Sequence, residues 1–155
     1  MINILSLKTS QLDRALINNI LKLKNTHWKK GMKSQSKFFK KNISKNDIHI
    51  LLFLKKKLSG YVLLRKKKYI FKNKKYNYLH FDTLIIKKSL RNKKLSSFLM
   101  SYVNNIINLE KKISLLYCEK KMFYFYRKYE WKKIKKNKFK LDYPNNKKLL
   151  LIHNF

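Results

Sequence analysis

Apolar residues along the chain change period several times, and each change marks an element. Leu12, Leu16, Ile20 and Leu23 recur every three to four residues, the period of one helix face. Just ahead of them, Thr9-Ser10-Gln11-Leu12-Asp13 reads as a helix start, with a hydroxyl cap and an acid near the third position. Residues 2–7 predict a short strand before it, and residues 28–41 a second, less regular helix. From Asp47 the pattern shifts to runs rich in Ile, Leu and Val. Residues 48–55 and 61–66 predict two strands, with Lys56-Lys57-Leu58-Ser59-Gly60 as the hairpin turn between them. Residues 78–86 predict a third strand and residues 87–94 a polar connection. Leu95, Leu99, Tyr102, Val103, Ile106 and Ile107 then form the stripe of an amphipathic helix. A strand at 113–118, a short aromatic helix at 122–129, and strands at 131–135 and 149–155 complete the chain. Strands in a run followed by β-α-β units predict one mixed sheet with helices on its faces, an α/β (α+β) arrangement.

No Pro, Gly or Ser tract, repeat or break in hydrophobic spacing interrupts this pattern, so residues 1–155 are expected to form a single domain. Hydrophobic residues at 45% suffice for a core at this length. The longest apolar runs, such as Ile48 to Leu54, fall far short of the roughly 20 residues of a membrane helix. The first residues, MINILSLK, lack the basic segment that precedes the apolar core of a secretory signal. One cysteine, Cys118, makes no internal disulfide, and a cytoplasmic location with no membrane partner is the expectation.

The formal charge of +33 raises the question of nucleic acid. Only Arg14, Arg65, Arg91 and Arg127 are arginine, however, and Gly, Ala and Pro are scarce while Lys, Asn, Ile, Leu, Phe and Tyr abound. A/T-rich codons produce that profile, and solvated lysine faces account for much of the charge. Base readout favours arginine and exposed stacking rings, so nucleic acid is not expected to be the specific ligand. An anionic partner remains open. His27, His49, His80 and His153 lack metal-ligand spacing, so no metal is expected, and neither a phosphate-loop nor a dinucleotide-binding glycine motif occurs.

The segment most charged with chemistry is Thr83-Leu84-Ile85-Ile86-Lys87-Lys88-Ser89-Leu90-Arg91-Asn92-Lys93-Lys94-Leu95-Ser96: a buried strand, a basic loop and a helix start. A helix N-terminus presents unpaired N–H groups and a positive dipole end, which suits a pyrophosphate. On the following strand-face count, His80, Asp82, Leu84 and Ile86 share one side of the strand. An Asp within an apolar strand is costly unless paired or used.

This segment resembles the acetyl-CoA motif of the GNAT superfamily: a strand ending in Val or Ile, then Arg/Gln-x-x-Gly-x-Gly/Ala opening a helix. Ile86 stands five residues before Arg91, as in that pattern, and Phe98-Leu99 continue the helix. Downstream, Phe125-Tyr126-Arg127-Lys128-Tyr129-Glu130-Trp131 resembles the family's Phe-Tyr-Glu-Lys-x-Gly-Phe. The chain departs from the pattern at Lys94 and Ser96, which replace the loop glycines, at Glu130 and Trp131, and at Glu119, where many relatives carry Asn near the pantetheine.

The resemblance implies a mostly antiparallel sheet of about six to seven strands with helices on both faces. It implies an N-acetyltransferase that uses acetyl-CoA as co-substrate, bound by Leu84, Ile86, Arg91, Asn92, Lys93, Lys94, Leu95 and Ser96. The thioester would lie at a splayed gap between two strands, its carbonyl polarised by the Ile86 N–H. Tyr126 would protonate the departing thiolate, and Asp82, with His80 second, would serve as general base through water. Acceptor specificity would reside in residues 11–41 and 139–155, where His27, Trp28, Phe38 and Phe39 lie. The acceptor is not identified by the sequence: an amino sugar on a nucleotide carrier and a protein N-terminus both fit. The basic surface mildly favours an anionic acceptor or a ribosomal setting, and the chain is expected to be a monomer or homodimer. A small basic RNA- or ribosome-binding protein and a GNAT-like subunit without catalysis are the rival readings.

Overall fold

The structure, a computed structural model, describes residues 1–141, 145 and 147–155. Strand β1 (Ile2–Lys8) is followed by a 3-10 turn at Thr9–Gln11 and helix α1 (Arg14–His27). The helix start differs from the sequence expectation. Asp13 is not an acid inside the first turn but the N-cap itself, its carboxylate accepting the Leu16 N–H at 2.7 Å. Thr9 and Ser10 are instead spent on the preceding turn, where their N–H groups donate to the Asp47 and Lys45 carbonyls. Helix α2 (Met32–Asn42) begins later than predicted, because Gly31 at φ 83° breaks the chain between the two helices.

Strands β2 (Ile48–Leu54), β3 (Lys57–Phe71) and β4 (Lys74–Ile86) form the centre of the sheet. The β2–β3 turn is Lys55-Lys56, with φ 48° and 63°, and the β3–β4 turn is Lys72-Asn73, with φ 47° and 59°. Two successive left-handed residues are the signature of the type I′ turn, whose twist matches that of the flanking strands. The predicted turn at residues 56–60 is therefore too long and one residue late. Ser59 and Gly60 lie inside β3, which also continues past residue 66 to Phe71.

Helix α3 (Leu95–Leu109), β5 (Ser114–Cys118), a five-residue helix α4 (Phe123–Arg127), β6 (Lys132–Lys133), β7 (Lys140–Leu141) and β8 (Leu149–His153) follow. The strands make an eight-stranded mixed sheet of order β1-β2-β3-β4-β5-β8-β6, with β7 pairing β3. The β4–β5 ladder is parallel; the β1–β2, β2–β3, β3–β7, β5–β8 and β6–β8 ladders are antiparallel.

By contact the chain gathers into two compact units. One comprises Met1–Arg65 with Thr83–Leu99, the other Lys66–Asp82 with Met100–Phe155. The first unit is held by Ile20 and Leu23 of α1 packed on Leu51, Tyr61, Leu63 and Ile85 of the sheet. Burying each such side chain contributes about 1.5–3 kcal/mol. The second is held by Tyr69, Tyr78, Leu115, Phe139, Leu150 and Ile152. Phe139 meets Tyr69 edge to face at 4.8 Å, a geometry that aromatic quadrupoles favour. Among the described residues, no helix is long and apolar enough to cross a membrane.

Candidate active site

The basic loop belongs to the first unit. Strand β4 ends at Ile86; a 3-10 turn at Lys88–Leu90 follows, and α3 starts at Leu95. The Lys87 N–H donates to the Ser59 carbonyl at 2.8 Å. N–H groups alternate sides along a strand, so the Ile86 N–H points away from β3. On that other side the β4–β5 ladder consists of Leu79↔Ser114 and His80↔Leu115, so it ends well before Ile86. The Ile86 carbonyl, on the same side as its N–H, is taken by Arg91 Nε at 3.2 Å. This leaves the N–H as the strand end's outward donor.

Asn92 and Lys94 are left-handed, at φ 62° and 57°. The Lys94 carbonyl accepts the Ser97 and Phe98 N–H groups at 3.0 and 3.3 Å, which fixes Lys94 as the residue that opens α3. The first N–H groups of a helix have no partner within it. Arg91, Asn92, Lys93 and Lys94 are exposed there, with Lys87 and Lys88, and no acid lies in the segment. Leu95 is buried, Ser96 and Leu84 half-buried. Backbone donors, a helix dipole and unopposed cations together suit a pyrophosphate.

Gly60 supplies a constraint that sequence reasoning missed. A Cβ there would stand 2.9 Å from Ile86 Cδ1 and 3.3 Å from Leu52 Cβ. The glycine thus seats the side chain of the residue whose N–H matters most.

The aromatic helix belongs to the second unit. Of its rings only Tyr126 is buried, whereas Tyr124 is 69% exposed. Tyr126 meets Phe81, Phe125 and Trp131 at centroid distances of 6.0, 5.1 and 6.3 Å. Burial, reinforced by the neighbouring Cys118, raises its phenol pKa far above the ordinary value. The group therefore stays protonated throughout the physiological range, which is the form an acid must have. Burial likewise pushes the Cys118 thiol up, so it is no nucleophile.

On β4, Phe81, Thr83 and Ile85 are buried while Asp82 and Leu84 are half-buried, the alternation expected of a strand. His80 is buried, with Tyr78 and Tyr117 rings at 6.4 and 6.2 Å. Glu119 is exposed and ion-paired to Lys121 at 3.0 Å, which lowers its pKa. Among the described residues, no group of His, Cys, Asp and Glu could hold a metal ion.

The sequence matches no family model and no curated protein. The solved structures are another matter. Escherichia coli ElaA superposes with a TM-score of 0.73 at 15% identity, covering 98% of this chain and 99% of that one. The PaiA N-acetyltransferase of Thermoplasma acidophilum, solved with coenzyme A, gives 0.65 at 14% identity over 100% and 99%. The Escherichia coli ribosomal-protein-S18-alanine N-acetyltransferase gives 0.66 at 10% identity over 98% and 91%. The chain has the GNAT fold.

Set on the GNAT pattern, two of the departures in sequence fall on left-handed backbone. Lys94 and Glu130 stand where the pattern has glycine, and both are left-handed, at φ 57° and 64°. Both thus hold a conformation that glycine would adopt without strain. Trp131, in place of the pattern's Phe, is 1% exposed and donates its indole N–H to Asn104 Oδ1 at 3.1 Å. The GNAT strand expected at 131–135 shortens to Lys132–Lys133, since Ile134 bonds only singly to Leu150. Of the two segments expected to choose the acceptor, residues 142–144 and 146 lie outside the described residues. In the other, His27 contacts Arg91, a pairing across 64 residues that no local pattern announces.

Proposed function

We propose that this chain is an N-acetyltransferase that moves the acetyl group of acetyl-CoA to a primary amine. The observation that carries the reading is the Ile86–Ser96 segment: an outward strand-end N–H, a left-handed Lys94 at a motif glycine position, and the opening of α3. Arg91, Asn92, Lys93, Lys94, Leu95 and Ser96 would hold the pyrophosphate, through backbone N–H groups first and side-chain charge second. Leu84 and Ile86 would line the pantetheine. Acetyl-CoA supplies a thioester-activated acetyl group.

The Ile86 N–H donates to the acetyl oxygen as negative charge gathers there. Asp82 accepts, through water, a proton from the attacking amine, and Tyr126 Oη–H gives its proton to the departing sulfur. No side chain needs to form a covalent bond. The basic loop and surface favour an amine that also carries negative charge, such as an amino sugar on a phosphate-bearing carrier. The fold neighbours include one protein named for an aminoglycoside and one for the alanine of a ribosomal protein, so both acceptor kinds occur on this fold.

The test is direct. Millimolar acetyl-CoA should raise the melting temperature, because a ligand that binds only the native state stabilises it, and a mass-spectrometric screen of amine libraries should find an acetylated product. Tyr126→Phe keeps the ring and CoA affinity but lowers turnover by roughly 10²–10⁴-fold. Tyr124→Phe, at an exposed ring, leaves turnover intact. Absence of any thermal shift sinks the reading; a shift without product leaves a CoA-binding subunit.

A further inference from the structure

We propose that His27 is a positioning residue for the cofactor loop, acting through Arg91. The inference rests on the acetyl-CoA reading and extends it to a residue in a different part of the sequence. His27 is the last residue of α1, and its Nδ1 accepts a hydrogen bond from Arg91 Nη2 at 2.9 Å. The same guanidinium donates from Nε to the Ile86 carbonyl at 3.2 Å. Two of its five N–H donors, one on Nε and one on Nη2 of a single rigid plane, are thereby fixed, and three remain for a ligand.

The consequence concerns order. An exposed arginine carries many rotamers, and a ligand must immobilise them at its own expense in affinity. Here the protein immobilises the side chain beforehand. The tether also protects the Ile86 strand end, since the Arg91 Nε bond is what occupies the carbonyl beside the outward N–H.

Three features show that His27 is built for this contact. Its ring is held edge-on by Trp28 at 4.5 Å between centroids. Trp28 is itself anchored: its N–H donates to the Lys24 carbonyl at 2.8 Å, and its carbonyl accepts from Gln35 Nε2 at 2.9 Å. Finally, an accepting Nδ1 requires a neutral imidazole with its proton on Nε2. Partial burial and the Arg91 charge both lower the His27 pKa, which keeps that form populated.

The experiment is a double-mutant cycle in the full chain, pairing His27→Leu with Arg91→Met, with His27→Gln as the conservative variant. Coenzyme A affinity is measured by calorimetry, KM and kcat with acetyl-CoA, and amide exchange of residues 87–94 without ligand. His27→Leu should weaken coenzyme A about fivefold, the worth of one net hydrogen bond, and raise KM with kcat nearly unchanged. In the Arg91→Met background the same substitution should cost nothing. His27→Gln, whose amide oxygen can accept the bond, should restore most of the affinity. Additive losses, or a Gln variant no better than Leu, overturn the proposal. So does faster exchange in 87–94 with unchanged affinity, which would make the contact merely structural. Wild-type protein that binds no coenzyme A at all would instead overturn the acetyl-transfer reading, and the positioning role with it.

Discussion

Asn104 and Trp131 complete one another. Asn104 Oδ1 accepts the indole N–H at 3.1 Å, while Asn104 Nδ2 donates to the Tyr129 carbonyl at 2.8 Å. A tryptophan in place of a phenylalanine brings a buried donor that must be satisfied, and helix α3 provides the acceptor. Asn104→Ala should therefore destabilise the protein by about 1–3 kcal/mol, the cost of an unpaired buried N–H. Trp131→Phe removes that donor, so Asn104→Ala in its background should cost clearly less. Chemical denaturation of the four proteins measures the cycle; equal costs in both backgrounds would show that the bond contributes nothing.

Stability should fall on the acid side, with His49 as a main cause. The ring is fully buried, its Nε2 lying 2.8 Å from Thr9 Oγ1 and its Nδ1 2.9 Å from Tyr61 Oη. Burial first, and the Lys24 charge second, lower its pKa from 6.5 to about 4. Since the folded value lies below the unfolded one, the unfolded chain binds the extra proton between them. The contribution is complete above pH 6.5 and is lost as pH falls to about 4. Its size is about 3 kcal/mol at most. His49→Gln should flatten the pH dependence of the unfolding free energy across that window. Some slope should survive, because His27 and His153 are shifted in the same direction.

Glycine should return to its motif positions at a profit in stability. Lys94→Gly and Glu130→Gly each relieve a left-handed residue of about 1 kcal/mol of strain. At this size the melting temperature should rise by about 2–4 °C per substitution. Lys93 has no positive φ and serves as the control, since Lys93→Gly should not stabilise. A fall in melting temperature at Lys94 or Glu130 would contradict the strain argument.

The opposite substitution should fail at Gly60. A Cβ 2.9 Å from Ile86 Cδ1 forces the isoleucine aside, and overpacking of this kind costs about 1–3 kcal/mol. Gly60→Ala should lower stability, and coenzyme A affinity should fall with it to the extent that the shifted Ile86 side chain moves its own backbone. The double variant with Ile86→Val should recover part of both, as shown by denaturation and calorimetry. Undiminished coenzyme A affinity in Gly60→Ala would separate the glycine from the site.

Periodicity made much of the fold legible, although the longest strand, β3, reads from it as residues 61–66 alone. The α3 stripe, the β2 run and the alternation about Asp82 stand in the structure as read, while β4 ends at Ile86 as read but begins four residues earlier, at Lys74. Reading failed at the short and the strained places. A lysine pair does not look like a type I′ turn, because its side chains state no preference for left-handed backbone; only φ reveals Lys55-Lys56. Likewise, Asp13 reads equally well as a first-turn acid or as a cap until its bond to Leu16 is seen. In the candidate site, the loop was legible as a strand-to-helix connection, while the acetyl-CoA role given to it and the acid role given to Tyr126 come only from the resemblance to the GNAT pattern. The contacts of Gly60 with Ile86, of His27 with Arg91 and of Asn104 with Trp131 were not legible, since each spans a distance in sequence that local pattern cannot.

The division of the chain into interleaved units also sets a timetable for its synthesis. The first unit draws on residues 1–65, yet its core includes Ile85, and its boundary runs on to Leu99. A nascent chain emerging at about 5–20 residues per second must therefore wait some seconds with Ile20, Leu23, Leu51, Tyr61 and Leu63 lacking their last neighbour. Residues 66–82, which belong to the other unit, come out in the interval. In that window the high net positive charge should oppose association of neighbouring nascent chains, a use of the lysines that the finished fold alone does not suggest.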